Sequence, residues 1–487
     1  MGRGFYPETM KKILTISALA VTALMLAVPL GIGPVVSDFH YRPSLSYIQL
    51  GPDTTLPQGL PLCRSASLGN IVCYSPSFIK KAYEFPSTAT LDGTGQTIVI
   101  VDAFGSPTIV NDLALFDARF GIPAPPSFTI FCGNSATPLD PTTCPKVNIN
   151  VNPLHDEFGW TIETSLDVQY AHAMAPGANI VLDVAATSSG NAINDAETAA
   201  IAAYPGAIFS QSFGIPEIFL TGNGNPGQVS QAQANYVNGV AKGDTFFASA
   251  GDTGADFGFG IAMSNFPGSD LHNTAVTGTQ GLPYNATGTL TPCTTSTPFS
   301  CTSGLSTYHG PCLIGSRFAT TNCVPDGYGG EQVWNEPRFG AATGGAPSLL
   351  FGVPSYQSGL GLTARGPDVD YNAAVDGGVL VQYGGFGFPV LFIVGGTSAG
   401  SPQWAGIAAL ANQARAMASK GPIGDLNPVL YAIYHSSRYS TDFHDITVGN
   451  DKLVGSTVGF SAGTGYDLAS GIGSPIVDQL IVDIAAA

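Results

Sequence analysis

Val390-Leu391-Phe392-Ile393-Val394-Gly395-Gly396-Thr397-Ser398-Ala399-Gly400-Ser401-Pro402 carries an apolar run straight into two glycines and then into small, hydroxyl-bearing residues. The run from Pro389 to Val394 reads as a buried strand, and the pattern from about Thr397 to Met417 as a helix. The turn between them places the Ser398 hydroxyl at a helix N-terminus, at the carboxyl edge of a sheet, where open α/β folds bind their ligands. Backbone N–H groups and the positive helix end stabilise negative charge beside such a hydroxyl, as acyl transfer requires. An ordinary N-cap role for Thr397 or Ser398 accounts for the same residues.

Further apolar runs, at Gln96 to Val101, Val147 to Val151, Ile180 to Val184, Ala207 to Ser210, Thr245 to Ala250 and Leu380 to Tyr383, read as strands with helical patterns between them. That alternation predicts a three-layer α/β fold, a mostly parallel central sheet with helices on both faces. Between Asn285 and Ala346 the rhythm gives way to Thr, Ser, Gly, Pro and four cysteines, the composition of a disulfide-stapled surface insertion. The eight cysteines fall as neighbours in sequence, Cys63 with Cys73, Cys132 with Cys144, Cys293 with Cys301 and Cys312 with Cys323. An even count in an exported chain implies disulfides, whose connectivity the spacing does not choose.

Only 10% of the 487 residues are charged, against ~25% in typical soluble proteins. The 34 acidic and 17 basic residues leave a net charge of −17, which argues against nucleic acid or an anionic membrane as partner. An acidic working environment would neutralise much of that charge; a merely acidic extracellular protein has the same composition. Lys11-Lys12 precede an uncharged apolar stretch from Ile13 to Ser37, long enough for a signal peptide or an N-terminal membrane anchor. Either implies an extracellular or cell-surface destination, and a monomer is expected there.

A serine nucleophile needs a base, usually histidine, but no histidine here stands in a catalytic context; His309 alone is followed by glycine, inside the insertion. Carboxylates are better placed. The run Trp160 to Ala173 has helical periodicity, with Ile162, Leu166, Tyr170 and Ala173 on one stripe. Glu163 and Asp167, four apart, project from one face, where like charges share a proton and push one pKa upward. A solvated acidic face reads the same way. Asp252, in Ala250-Gly251-Asp252-Thr253-Gly254-Ala255, follows a strand and fits either a site or a tight turn.

Gly396-Thr397-Ser398-Ala399-x-x-Pro402, Glu163-x-x-x-Asp167 and Ser249-Ala250-Gly251-Asp252-x-Gly254-Ala255 together resemble the sedolisins, serine-carboxyl peptidases with a subtilisin-like fold. Gln211-Ser212-Phe213-Gly214-x-Pro216-Glu217 and Pro367-Asp368-Val369 are similar to framework segments of that family. The resemblance implies an acid-active endopeptidase in which Ser398 attacks the peptide carbonyl, Glu163 takes and returns the proton, Asp167 supports Glu163, and Asp252 donates to the oxyanion. An Asp donates a hydrogen bond only when protonated, so that scheme requires acid. The resemblance also implies one structural calcium ion in the region 443–475, held by the side chains of Asp445 and Asp467 and the carbonyls of Ile446, Gly463 and Gly465. Without it, those residues read as Asx turns. Asp102, where a subtilisin has its triad Asp, is expected to be structural or secondary.

The expected organisation is an export segment at 1–37, a short leader at 38–83 and a catalytic domain at 84–487 beginning near Glu84-Phe85-Pro86. Sedolisins usually carry a large prodomain; the short leader leaves maturation either as its simple removal or as folding without such help. The rival readings are a subtilisin-type Ser/His/Asp peptidase and a catalytically silent surface or adhesion module on the same fold.

Overall fold

The computed structural model describes residues 39–487 except 53–61, 66–68, 88–89, 134–155, 222–225, 282–284, 293–305, 312–317 and 326–327. The expected strand Val147 to Val151 and the cysteines at 144, 293, 301 and 312 lie outside the described residues, as does the apolar segment 13–37. Among the described residues, no helix is long and apolar enough to cross a membrane.

The chain opens with strands β1 (Arg42–Pro43), β2 (Ser46–Pro52), β3 (Leu62–Ser65) and β4 (Gly69–Tyr74), then helix α1 (Pro76–Ala82). The regular alternation follows: β5 (Thr97–Ala103), α2 (Ile109–Phe120), β6 (Phe128–Phe131), α3 (Asp156–Met174), β7 (Asn179–Ala185), α4 (Gly190–Ala203), β8 (Ile208–Gln211), β9 (Phe213–Pro216), α5 (Pro226–Ala241) and β10 (Thr245–Ser249). Next come β11 (Asn265–Phe266), β12 (Asn273–Gly281) and three strands of the insertion, β13 (Asn285–Pro292), β14 (Ser306–Pro311) and β15 (Phe318–Pro325). The last strands before the serine are β16 (Glu331–Val333), β17 (Asn335–Glu336), β18 (Ala341–Ala342), β19 (Val369–Asn372), β20 (Gly378–Tyr383) and β21 (Val390–Gly395), followed by α6 (Gly400–Met417).

The central sheet has the order β16-β12-β10-β8-β5-β7-β6, with β19 also on β12. Every pairing in it is parallel except that of β16. Alternate side chains of a strand point to opposite faces. Accordingly Ile98 and Ile100 join a core with residues of α3 and α6, and Val99 and Val101 join another with residues of α4 and α5. The three-layer expectation therefore holds.

The strand that leads to Ser398 differs from the expectation. β21 belongs to a second sheet, ordered β2-β21-β20-β4-β3, in which β20 and β21 are antiparallel. The reason is the connection: six residues, Gly384 to Pro389, suffice for a hairpin but not for the crossover that parallel neighbours need. A disulfide joins Cys63 on β3 to Cys73 on β4. Cys132 is also disulfide-bonded. The insertion forms a separate antiparallel sheet, β14-β13-β15.

Candidate active site

The expected single helix from Thr397 begins instead as a 3-10 turn, Thr397–Ala399, which runs into α6. Pro402 falls in the first turn of α6, where no backbone N–H is missed. Gly396, between strand and turn, has φ +118°, a conformation that side chains oppose. A Cβ there would also collide with the carbonyl oxygen of Ser44 and with Asp252 Oδ2, so both oxygens pack against Gly396, two residues before Ser398.

Asp252 sits just beyond β10. Its Oδ1 accepts hydrogen bonds from the Thr397 N–H and hydroxyl, both 2.8 Å, while Thr397 Oγ1 accepts from Gly251 N at 3.0 Å. Its Oδ2 is buried without a hydrogen-bond partner. Burial pushes the carboxyl up to about 7, partly offset by the two Thr397 bonds. With Oδ1 already accepting twice, the proton held below that value belongs on Oδ2, the oxygen without a partner.

α3 brings Glu163 and Asp167 to the same place. Its stripe residues Ile162, Leu166, Tyr170 and Ala173 are in the core, as read, but Glu163 and Asp167 are 0% exposed as well. That excludes the solvated acidic face. Burial raises Glu163 well above the usual carboxylate range, reinforced by Asp167, Asp102 and Asp252, with the Ser398 hydroxyl drawing it partly back. Burial likewise raises Asp167, against the pull of Ser212 and Glu163. No oxygen of either carboxyl makes a hydrogen bond of ordinary geometry. The Ser398 hydroxyl donates to the Ser212 carbonyl at 3.1 Å, and the Ser212 hydroxyl donates to the Ser398 carbonyl at 3.2 Å.

Two residues of this cluster were given smaller parts by the sequence. Asp102, at the end of β5, is 0% exposed, and its carboxyl is raised by burial and then by Asp167. Its position at the end of the first central strand was the available signal. Ser212, read only as framework, bonds Ser398 in both directions; its motif Gln211-Ser212-Phe213-Gly214 marked the segment but not the contact. Histidine is absent from the described part of the cluster: His172 Nε2 bonds the Pro123 carbonyl at 2.9 Å and lies 3.3 Å from Asp117.

At the C-terminal side, both oxygens of Asp445 accept from Gly465 N at 3.0 Å, and Asp467 Oδ2 accepts from Gly463 N at 2.9 Å. The two carboxylates thus converge on one turn, 463–467. The donor set is all oxygen, which suits a hard cation. Among the described residues, no group of three or more His, Cys, Asp or Glu side chains could hold a metal, so a calcium ion there would depend on backbone carbonyls.

A subtilisin-like body with a serine at a helix entrance, enclosed by buried carboxyls, is the arrangement that fold and site define. No protein-family model matches the chain. Kumamolisin from Bacillus sp. (strain MN-32) is 28% identical over 421 residues, which cover 84% of this chain and 63% of that protein. The chain thus spans less than two thirds of the length of that curated relative. Tripeptidyl-peptidase sed1 of Aspergillus fumigatus is 42% identical over 95 residues, 20% of this chain and 13% of the relative. The solved structure of Pseudomonas sedolisin (serine-carboxyl proteinase), complexed with two molecules of pseudo-iodotyrostatin, superposes with a TM-score of 0.61 at 22% identity, covering 86% of this chain and 99% of that one. The chain is thus similar in sequence to kumamolisin and in fold to Pseudomonas sedolisin.

Proposed function

We propose that the chain is an acid-active serine-carboxyl endopeptidase acting on proteins and peptides outside the cell. The observation that supports it most is the meeting of the Ser398 turn with the buried Glu163 and with Asp252, whose Oδ1 holds Thr397 and whose Oδ2 has no hydrogen-bond partner. Ser398 Oγ attacks the substrate carbonyl carbon and its proton passes to Glu163. The oxyanion receives hydrogen bonds from Ser398 N–H and protonated Asp252. Glu163 then protonates the departing amine, and water hydrolyses the ester with Glu163 again as base. Asp167 acts through Glu163: two carboxyls that share a proton give a base whose strength exceeds that of an isolated carboxylate.

The pH dependence follows from two opposite requirements. The Glu163–Asp167 pair must lose its first proton, which sets the acid limb. Asp252 must keep its proton, which sets the alkaline limb near its value of about 7. The deciding experiment compares the protein with Ser398→Ala on a denatured protein substrate at about pH 3 to 5. Equal hydrolysis by both would leave a silent module as the better reading.

The proposed calcium ion would be structural, held by the Asp445 and Asp467 side chains and the carbonyls of Ile446, Gly463 and Gly465. The proposed organisation keeps a leader at 38–83 ahead of a catalytic domain at 84–487, with an export segment at 1–37.

A further inference from the structure

Phe257 is held in a conformation that its side chain opposes. Its φ is +49°, in the left-handed region that glycine and asparagine enter readily and bulky residues seldom do. Such a residue persists only where its surroundings over-determine it, and cases of this kind gather at active sites. Here the Asp256 carboxyl folds the loop around it: Oδ1 accepts from Gly258 N at 3.0 Å and Oδ2 from Gly260 N at 3.2 Å. The same Oδ2 accepts from the Ser456 hydroxyl at 2.6 Å, across two hundred positions of chain. Phe259 meets Phe219 edge-on, with ring centroids 5.4 Å apart. The loop 256–260 is therefore clasped from two directions, and Asp256 at its root is 1% exposed.

What the strained position delivers is a ring edge against Gly251. A Cβ on Gly251 would meet Phe257 Cε1 at 2.8 Å and Cζ at 2.9 Å. Gly251 immediately precedes Asp252, and its own φ is +102°. Its peptide groups are fastened elsewhere: its N–H donates to Thr397 Oγ1 at 3.0 Å, and its carbonyl accepts from Gly344 N at 2.6 Å. The Asp252 carbonyl accepts from Ala342 N at 3.0 Å. Those bonds grip the peptide planes on either side of the Gly251 α-carbon; the ring packs on the α-carbon itself. Glycine has the widest backbone freedom of any residue. A wall at that point restricts the rotation that would swing the Asp252 carboxyl away from Thr397.

From this packing, and resting on the peptidase reading above, we propose that Phe257 is a positioning residue for the reaction: its ring, forced into place by Asp256 and Ser456, holds Gly251 and thereby aims the Asp252 carboxyl at the oxyanion. Phe257 touches no reacting atom in this role and acts through Gly251. Asparagine, aspartate or glycine would take the same φ with less strain, so a position that served the turn alone has no use for phenylalanine. Losing the ring also loosens the packing that keeps water from the carboxyl. Its value then falls from about 7 toward the ordinary carboxylate range, because burial is what raised it.

The test compares the full chain, Ser398→Ala, Phe257→Asn and Phe257→Leu on a denatured protein substrate from about pH 3 to 8, with denaturant unfolding of each in parallel. Phe257→Asn suits the left-handed turn but lacks the ring. It is expected to unfold cooperatively, to lose about tenfold or more in kcat per folded molecule with KM changed less than about twofold, and to move the alkaline limb downward by about half a pH unit or more. Phe257→Leu keeps apolar bulk against Gly251 and is expected to change both quantities in the same direction by less, with kcat down about threefold; it is read alone if the Asn chain does not fold. Glu163 on α3 and Asp256 in the loop remain in both variants, so the limb reports Asp252. Variants that match the parent in kcat per folded molecule and in alkaline limb would overturn this inference and leave the peptidase reading standing, since a loop that merely stabilises the fold changes the folded fraction alone. A loss of kcat with the limb unmoved would overturn it too, by placing the effect of the ring on another group. Equal hydrolysis by the parent and Ser398→Ala would overturn both readings.

Discussion

Asp252 and Ser398 put the chemistry at the level of single atoms. Ser398→Ala is expected to lower kcat/KM on a protein substrate by about 10⁴-fold or more, with the melting temperature unchanged within a degree or two. Asp252 allows a finer distinction. Asp252→Ala removes the donor and is expected to cost about 10² to 10³ in kcat. Asp252→Asn keeps an N–H donor but cannot titrate, so a smaller loss is expected, with an alkaline limb displaced upward from about pH 7. An unmoved limb in the Asn variant would assign that ionisation to another group. Glu163, Asp167, Asp252 and Ser398 were legible in sequence because each sits in a short motif with local geometry. Asp102 and Ser212 were less so, and Ser44 not at all: their proximity to Ser398 is created by strands far apart in the chain.

Among elements, the turn from β21 into α6 combines two constraints at Gly396: a positive φ and no room for a Cβ. Gly396→Ala is therefore expected to destabilise the fold by about 1 to 3 kcal/mol and to reduce activity beyond what the stability loss explains. Denaturant unfolding beside kinetics on the folded fraction separates the two. The 463–467 turn, clasped by Asp445 and Asp467, makes the other prediction at this scale. Removal of calcium by a chelator is expected to lower the melting temperature by several degrees, with restoration by calcium but not by magnesium, whose tighter octahedral geometry suits such a loop poorly. An unchanged melting curve would count against the ion. Strand identity was readable for β5, β7, β8, β10, β20 and β21, since an apolar run of that length is a strong signal. Sheet membership was not, because pairing depends on connection length and on partners such as β2, which lies in a stretch without long periodicity.

Taken whole, the molecule buries many carboxyls with few cations to balance them. Burial raises Asp112 and Asp244 to about 6, and Glu197 and Asp451 to about 8. Among the described residues, Arg365 is the buried Arg or Lys side chain, and it is already paired with Asp368 at 2.5 Å. A carboxyl raised on folding holds a proton that the unfolded chain has released. Its stabilising effect is complete below the ordinary value of about 4 and is lost as pH rises through the folded value. Stability is therefore expected to fall from about pH 4 to about pH 8, seen as a declining melting temperature in the Ser398→Ala protein, which cannot digest itself. A flat or rising profile would contradict the burial. The net charge of −17 hinted at acid adaptation, but composition cannot tell a carboxylate on the surface from one in the core. Asp252 Oδ2 gives this preference a further meaning for the organism that makes the protein. On the proposed mechanism, the atom that welcomes an oxyanion in acid would repel one after losing its proton, so a newly made chain would be harmless to its maker at neutral pH, and acidity itself would be the signal to begin work.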